Sequence, residues 1–314
     1  MQKDSKQWFV IINPTSGNGK AKQKWPEIKR LLHHYKFDFE FAFTEYSKHS
    51  VSLVQKALKN SFKHIICVGG DGTLHNTING IMNQSEIPSS AINIGVIPIG
   101  TGNDWIKTHA IANHIESAIK IISEGYIAYQ DLGKIEFENS NKPSVYFNNL
   151  AGIGFDGYVV SKVERYKKWG ALAYLFGALS GIFSFNNFES KVTINSKEIS
   201  GKTLMILVGL CKYSGGGMRL TDSPNPFDGL LDISIAQNLN KFEIITNLPR
   251  LFNGKITKHK KVKTLKTDAL KIEVDENKLP FIQADGELIG TGNFKVSILA
   301  KAFSFYRKKN PDLF

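Results

Sequence analysis

The sequence predicts an α/β plus β protein: a parallel α/β domain comes first, and an antiparallel β-sandwich domain with helical insertions follows. Strand and helix patterns alternate up to about residue 127, and strand patterns dominate after it. The length of 314 residues suits two domains, and the hydrophobic fraction of 42% supplies enough material for two cores. We therefore predict one domain at 1–129 and a second at 130–299.

The first domain is predicted from short apolar or alternating runs separated by helical patterns, as in a parallel sheet covered on both faces. The strand-like runs are WFVII (8–12), FDFEFAF (37–43), HIICV (64–68) and INIGVIPI (92–99). Helical patterns cover residues 21–35, 50–59, 73–82, 103–109 and 113–124.

The second domain is predicted from many short strands with turn residues between them, which is typical of an antiparallel sandwich or barrel. The strand patterns cover residues 134–137, 144–153, 190–194, 203–210, 229–236, 269–274, 281–285 and 294–299. Helices are predicted only as insertions, at about 156–183 and 240–252.

The net charge of +12 favours a partner that carries negative charge, such as nucleotide phosphates, nucleic acid or an anionic membrane surface. Basic residues cluster at 165–169, at 255–266 and at 307–309. Each cluster taken alone is equally typical of a solvated surface.

The apolar stretch WGALAYLFGALSGIF (169–183) is too short to span a bilayer comfortably and contains three glycines. We expect a buried or interfacial helix there, and hence at most a peripheral membrane contact. The N-terminus lacks the apolar segment of a signal peptide. Cys67 and Cys211 lie in apolar runs and are too few for a disulfide framework, so a reducing compartment fits.

Residues 66–81, ICVGGDGTLHNTINGI, run from a strand through glycines into a helix, and two similar loops follow the strands at 8–12 and 92–99. The carboxyl ends of parallel strands lie at one edge of a sheet, so the three loops should meet there. Glycine leaves backbone N–H groups open to a phosphate, and helix N-termini favour anions. Asp71 fits such a site if it faces Mg²⁺ or accepts a proton.

Each of these loops alone would be read as a tight turn with a helix cap, for example with Asp71 or Thr73 capping the helix that follows. Three of them at three strand ends favour a nucleotide site. The Rossmann and P-loop glycine patterns are absent, so the site is of another type. Later in the chain, Asp285-Gly286 is typical of a hairpin turn, and Asp228-Gly229 is typical of a turn or a hard-cation site.

Five motifs together resemble the diacylglycerol kinase catalytic-domain family, which includes bacterial soluble lipid kinases and sphingosine kinases. In chain order they are NPTSG (13–17), GGDGT (69–73), PIGTGND (98–104), DGLLDI (228–233) and ADGE (284–287). The resemblance extends from about residue 7 to 306. GGDGT alone is shared with NAD kinases and phosphofructokinase-like proteins, whereas the full set is more specific to lipid kinases.

The resemblance implies an NAD kinase/phosphofructokinase-like nucleotide domain, a lipid-substrate domain, and ATP with Mg²⁺ in the cleft between them. The tail at about 300–314 would return to the first domain. Glu287 would be the general base, and Asp71 would orient Mg²⁺-ATP or share the base role. The ATP site would be lined by Asn13, Ser16, Thr44, Gly69, Gly70, Gly72, Thr73 and Thr101.

The resemblance also implies a structural Mg²⁺ at Asn225, Asp228 and Leu230, with two of these residues binding through carbonyl oxygens. Asn225 and Leu230 occupy positions that are often Lys and Tyr in the family. Pro226 and the Ser223-Pro224 pair make the loop stiffer than in a typical member.

The implied activity is transfer of the ATP γ-phosphoryl group to the hydroxyl of a membrane lipid, diacylglycerol or a related one. The enzyme would be cytoplasmic and peripherally bound to the anionic inner face of the membrane, and a homodimer is compatible with the sequence. An NAD kinase-like enzyme for a soluble alcohol is the alternative, although Asn148-Asn149-Leu150 lacks the Glu of that family's N-E motif. A nucleic-acid-binding module is disfavoured because the basic clusters are scattered.

Overall fold

The computed structural model describes residues 6–100, 102–138, 140–166, 181–182, 184–275 and 279–309. The chain divides into two compact units. The first unit consists of Met1–Gln130 together with Lys301–Phe314, and the second consists of Asp131–Ala300.

The first unit contains a parallel sheet in the order β4-β3-β1-β2. The two inner strands are almost wholly buried, which explains why they read as continuous apolar runs. The strands are β1 (Gln7–Ile12), β2 (Asp38–Phe43), β3 (His64–Gly69) and β4 (Asn93–Pro98).

Helices connect these strands and cover the sheet. On the first helix, the apolar positions Trp25, Ile28 and Leu32 fall on one face and join a core with Trp8 and Val10 of β1. The helices are α1 (Lys20–His34), α2 (His49–Lys59), α3 (Asp71–Met82), α4 (Asp104–Thr108) and α5 (Ile115–Glu124).

The C-terminal part of strand β15 (Phe294–Tyr306) belongs to the first unit. Ser304 and Phe305 pair in parallel with β4. The Ser304 hydroxyl donates to the Ile92 carbonyl at 2.7 Å. The Tyr306 hydroxyl lies 2.9 Å from His64 Nδ1, and its ring contacts Trp8. The C-terminal part of β15 thereby adds a strand to the parallel sheet of the first unit.

The second unit is built of antiparallel strands in the order β14-β13-β7-β9-β8-β12-β15, and β10 joins β9 to β11. Strand β5 (Ile127–Phe137) leads into this unit. The remaining strands are β6 (Val145–Phe147), β7 (Leu150–Gly154), β8 (Phe188–Ile194), β9 (Lys197–Gly209), β10 (Leu231–Gln237), β11 (Val262–Thr267), β12 (Ala269–Val274), β13 (Phe281–Ala284) and β14 (Glu287–Thr291).

Within the described residues of the second unit, two helices pack on its strands: α6 (Phe155–Tyr166) and α7 (Lys241–Asn253). Helix α7 begins with a capping box, in which Asn240 accepts from the Glu243 N–H at 2.8 Å and Glu243 accepts from the Asn240 N–H at 2.9 Å. The predicted fold class, a parallel α/β part followed by a β-sandwich part, is confirmed.

The structure differs from the sequence prediction in three strands. The predicted strand 144–153 is interrupted at Asn148-Asn149, because the backbone N–H groups there donate to Asp285 instead of continuing a ladder. Strands β11 and β14 were not predicted, because each contains only two large apolar residues. Most of the apolar stretch 169–183 lies outside the described residues.

Both cysteines, Cys67 and Cys211, are buried together with the apolar runs that contain them. No helix within the described ranges has both the length and the apolar character that crossing a bilayer requires.

The packing of α2 against α3 depends on Gly80. A Cβ at this position would lie 2.2 Å from Val54 Cγ1 and 2.9 Å from the Val51 carbonyl oxygen. We expect Gly80→Ala to lower the free energy of unfolding by about 1–3 kcal/mol, because backbone as well as side chain must move. In a denaturant double-mutant cycle with Val54→Ala, the two changes should be less destabilising together than the sum of the single changes. Strict additivity would contradict this contact.

Candidate functional site

In the first unit, the loops that follow β1, β3 and β4 meet at one edge of the sheet. Asn13, directly after β1, donates from Nδ2 to Thr73 Oγ1 at 3.3 Å. A Cβ on Gly70 would lie 3.3 Å from the Cα of Gly100 in the loop after β4. The structure therefore brings together three of the predicted nucleotide loops.

The loop after β1 is shaped by Asn13 and by a run of left-handed residues. Asn13 Oδ1 accepts from the N–H of Thr15 at 3.2 Å and from its hydroxyl at 2.8 Å. Gly17, Asn18 and Gly19 have φ values of 61°, 57° and 87°. Ser16 is half-buried in this loop. A succession of left-handed residues turns backbone N–H groups toward one concave side, which suits an anion.

Thr44 also lies at this edge of the sheet. It follows β2, and its N–H donates to the carbonyl of Ile12, the last residue of β1, at 2.8 Å. The predicted residue Thr101 lies outside the described residues.

The GGDGT segment requires glycine for steric reasons. A Cβ on Gly69 would lie 2.4 Å from Thr73 Oγ1. Thr73 is 4% exposed and sits in the first turn of α3. The residue before α3 is Gly70, which has no side chain that could cap the helix. A helix N-terminus next to bare glycine backbone is a favourable place for a phosphate.

Asp71 caps the next helix along the chain, α4. Its Oδ2 accepts from the N–H of Asp104 at 3.0 Å, and its Oδ1 accepts from the N–H of Trp105 at 3.3 Å. Asp71 is itself the first residue of α3, and the alternative in which it caps that helix stays a prediction. A carboxylate oxygen accepts more than one hydrogen bond, so this role is compatible with a second role toward a ligand.

Asn103 is a loop residue to which the sequence analysis gave no role. It is 5% exposed, has a left-handed φ of 48°, and donates to the Gly100 carbonyl at 3.1 Å. Its amide also donates to Asn113 Oδ1 at 3.1 Å. Asn tolerates the left-handed region better than most residues, which is the signal its place after Gly-Thr-Gly offered.

In the second unit, Glu287 is the first residue of β14 and pairs with Ala284 of β13. Asp285 and Gly286 have φ values of 51° and 84°, as in a two-residue hairpin turn. Glu287 is half-buried. The sequence analysis offered a hairpin turn and a catalytic motif as alternatives here, and the turn is present with Glu287 at its end.

The Asp285 carboxylate holds this turn against the break between β6 and β7. It accepts from the backbone N–H groups of Asn148 at 3.1 Å, Asn149 at 2.9 Å and Leu150 at 3.1 Å. The Asp285 N–H in turn donates to the Leu150 carbonyl at 2.9 Å. The backbone position of Glu287 is therefore constrained by the contacts of Asp285, two residues earlier in the chain.

Gln283 and Asp156 form a hydrogen-bonded pair that contacts the same turn. Gln283 is 2% exposed, accepts from the Gly286 N–H at 2.8 Å and donates to the Asp156 carboxylate. Burial raises the pKa of Asp156 to about 6, and the hydrogen bond from Gln283 opposes this shift. Neither residue was predicted from the sequence, because the two come into contact only when α6 packs beside β13.

An apolar pocket of about 690 Å³, open solvent at its mouth included, lies in the second unit. Its walls come from α6, β9, β10, α7 and the segment after α7. The lining residues are Phe155, Asp156, Val159, Leu204, Met205, Met218, Leu220, Ala236, Leu239, Ile244, Asn247, Leu248, Leu251, Ile256 and Val262. All but Asp156 and Asn247 are apolar, so the pocket suits a hydrocarbon chain.

The loop predicted to hold a structural Mg²⁺ already has a cation of its own. Asp228 Oδ2 lies 3.0 Å from Lys266 Nζ, and its Oδ1 accepts from the Leu230 N–H at 3.1 Å. Lys266 also contacts Asp232 at 3.3 Å. Asn225 Oδ1 accepts from the Phe227 N–H at 3.2 Å. Lys266 would repel a divalent ion beside the Asp228 carboxylate, so this carboxylate as paired here does not fit the predicted metal. The ligands at Asn225 and Leu230 stay a prediction.

The described part of the chain contains no cluster of three or more His, Cys, Asp or Glu side chains able to hold a metal.

Asp285→Ala should lower the free energy of unfolding by about 2–4 kcal/mol, because three backbone N–H groups lose a charged acceptor. Glu287→Ala is the matched control two residues away and should change it by no more than about 0.5 kcal/mol. Urea unfolding of both variants measures the difference. Equal effects of the two changes would contradict a structural role specific to Asp285.

The contribution of Asp156 to the free energy of unfolding should decrease as the pH rises from about 4 to 7. Because its pKa is raised from 3.8 to about 6 in the folded protein, the folded state holds the proton more tightly than the unfolded state between these values. Asp156→Asn removes this titration and retains an acceptor for Gln283. We expect the variant to gain on the order of 1–3 kcal/mol over the wild type between pH 4 and pH 7, measured by urea unfolding. A difference independent of pH would contradict the raised pKa.

Two family models match the chain. The diacylglycerol kinase catalytic domain matches residues 7–135. The YegS C-terminal NAD kinase beta sandwich-like domain matches residues 149–307. The first match contains all three glycine loops, and the second contains the hairpin with Glu287.

Individual proteins show the same similarity. The diacylglycerol kinase of Staphylococcus saprophyticus is 28% identical over 289 residues, covering 91% of this chain and 90% of that protein. That of Staphylococcus carnosus is 28% identical over 283 residues, covering 90% and 88%. A crystal structure of a diacylglycerol kinase from Bacillus anthracis covers 100% of both chains with a TM-score of 0.73 at 21% identity, which shows a shared fold. The two family matches and these similar proteins together show that this chain belongs to the diacylglycerol kinase catalytic-domain family of lipid kinases.

Proposed function

We propose that the protein transfers the γ-phosphoryl group of ATP to the hydroxyl of a membrane lipid, diacylglycerol or a related one. The observation that carries this proposal is the cluster of three glycine loops, two of which Asp71 joins, in a chain that belongs to a lipid kinase family. The apolar pocket of the second unit supports a lipid as the acceptor.

On the nucleotide side, bare backbone and small side chains would contact the phosphates. Backbone N–H groups next to Gly70 and at the start of α3 would meet the negative charge. Asp71 would orient the Mg²⁺ that accompanies ATP, which offsets charge on the phosphoryl oxygens. The proposed contact residues are Asn13, Ser16, Thr44, Gly69, Gly70, Gly72, Thr73 and Thr101.

On the acceptor side, Glu287 would take the proton of the lipid hydroxyl. As the hydroxyl oxygen bonds to the γ-phosphorus, the bond to the ADP oxygen breaks and the proton moves to the Glu287 carboxylate. The tight turn at Asp285-Gly286 supports this role, because it limits the positions that the Glu287 backbone can adopt. Fixed positioning is the main source of rate in such transfers.

The pocket would hold an acyl chain of the acceptor. Each buried methylene contributes about 0.8 kcal/mol, so a few carbon atoms would suffice to retain the lipid. We further propose that the enzyme is cytoplasmic and binds the inner face of the membrane peripherally. The segment 255–266 contains six lysines and no acidic residue, which supports its attraction to anionic lipid. A homodimer stays a prediction.

The test is transfer of labelled phosphate from Mg²⁺-ATP to diacylglycerol, monoacylglycerol, a sphingoid base, phosphatidylglycerol and undecaprenol in mixed micelles, with NAD as a soluble acceptor. We expect transfer to a lipid, and we expect Glu287→Gln to lower kcat by about 100-fold or more while ATP binding is retained. Asp71→Ala should also abolish transfer.

The matched control is Glu189→Gln, which alters an exposed glutamate of the same unit and should leave transfer unchanged. Labelling of NAD without labelling of any lipid would replace the lipid proposal by a soluble-alcohol kinase. Full activity of Glu287→Gln would exclude Glu287 as the base.

A further inference from the structure

We propose that helix α7 (Lys241–Asn253) docks the protein on an anionic lipid bilayer by inserting Phe242, Ile245 and Phe252 between the headgroups. The idea rests on the proposed function only in taking a membrane lipid as the acceptor. It assigns the membrane contact to one described helix, with lysines that follow it directly in the chain.

Helix α7 has two apolar faces. Its inner face, with Ile244, Leu248 and Leu251, lines the apolar pocket. Its outer face carries three exposed side chains: Phe242 is 74% exposed, Ile245 39% and Phe252 43%. In a globular protein the solvent-facing side of a surface helix is normally polar. The exposed stripe therefore needs an explanation beyond folding.

The exposed residues form one continuous stripe. Together with the exposed Pro249, they follow one another at intervals of three, four and three residues, which places them on one side of a helix. A stripe of this kind reaches into the boundary between headgroups and acyl chains when the helix lies in the membrane plane.

The charge around the stripe suits anionic headgroups. Six lysines and no acidic residue lie at 255–266, directly after the helix. Three of these lysines are engaged within the described structure: Lys258 with Asp222, Lys261 with Glu243, and Lys266 with Asp228. The other three, which are exposed, are Lys255, Lys260 and Lys263. Each basic residue near an anionic surface contributes on the order of 1 kcal/mol.

The docking element is preformed, so little order has to be gained on binding. The Asn240–Glu243 capping box fixes the start of α7, and Lys261 Nζ holds Glu243 at 2.7 Å. Gly254, with a φ of 76°, ends the helix and leads into a short 3-10 helix at Lys255–Lys258. There Ile256 lines the pocket while Lys255 and Lys258 are exposed. Apolar anchor, basic residues and pocket wall are therefore consecutive in the chain.

The first experiment measures sedimentation with vesicles of phosphatidylcholine, with or without phosphatidylglycerol, in the absence of ATP. We expect Phe242→Ser/Ile245→Ser to weaken binding to the anionic vesicles by about tenfold or more. The change Lys255→Gln/Lys260→Gln/Lys263→Gln should remove most of the preference for anionic vesicles. The control Tyr129→Ser removes an aromatic side chain that is 47% exposed in the other unit, and it should bind like wild type.

The second experiment reports insertion directly. Because Cys67 and Cys211 are buried, a new surface thiol is the selective site for an environment-sensitive label. The label on Phe242→Cys should shift its emission to shorter wavelength with anionic vesicles and be quenched by brominated lipid, whereas the label on Tyr129→Cys should not. Sedimentation with vesicles without any change at position 242 would overturn the proposal, as would unchanged binding of Phe242→Ser/Ile245→Ser.

Activity separates this proposal from the proposed function. Phe242→Ser/Ile245→Ser should lose transfer to a lipid acceptor in vesicles but keep transfer to the same acceptor in detergent micelles. Equal loss in both would overturn the docking role of the stripe. If no lipid is phosphorylated by the wild type, the proposed function fails, while vesicle binding and the label at position 242 still decide the docking role.

Discussion

The candidate nucleotide site depends on the carboxylate of Asp71, which accepts from the N–H groups of Asp104 and Trp105 across two loops. These loops approach so closely that a Cβ on Gly100 would lie 2.8 Å from the Cα of Gly70. Such an approach is stable only where side chains are absent and the backbone donors at the start of α4 find an acceptor. One acidic residue therefore supplies a cap for one helix and the alignment of another.

The second unit uses the same device at a different place. The Asp285 carboxylate accepts from three consecutive backbone N–H groups at 148–150, where the strand predicted at 144–153 is interrupted. In both units an aspartate inside a motif binds the backbone, and the residues beside it stay available for a ligand. An acidic residue in a motif is thus not automatically the reacting group. The Asp285 carboxylate holds the turn through three backbone N–H groups, and Glu287 at the start of β14 is the proposed proton acceptor.

How much the sequence could predict depends on the range of the interactions. Buried strands such as β3, predicted at 64–68 and observed at His64–Gly69, are continuous apolar runs and are visible locally. The partner of Asp71 lies 33 residues away, and Gln283 meets Asp156 across 127 residues, so neither contact leaves a local pattern. The apolar pocket escaped prediction for the same reason, because its lining comes from separated segments. The ion pair between Lys266 and Asp228 at the predicted metal loop is likewise a contact between residues far apart in the sequence, so it could not be predicted locally.

The two apolar faces of α7 connect recognition of the membrane with recognition of one lipid. Electrostatic attraction acts over about one Debye length, roughly 8 Å in physiological salt, and it selects anionic surfaces without fixing the depth of insertion. Burial of Phe242 and Ile245 fixes depth but carries no charge preference. A helix that combines the stripe with the lysines after it obtains both. Because Ile244 and Leu248 on the same helix line the pocket, a lipid tail near the docked helix would reach the pocket along apolar surface, avoiding the cost of about 0.8 kcal/mol for each methylene exposed to water.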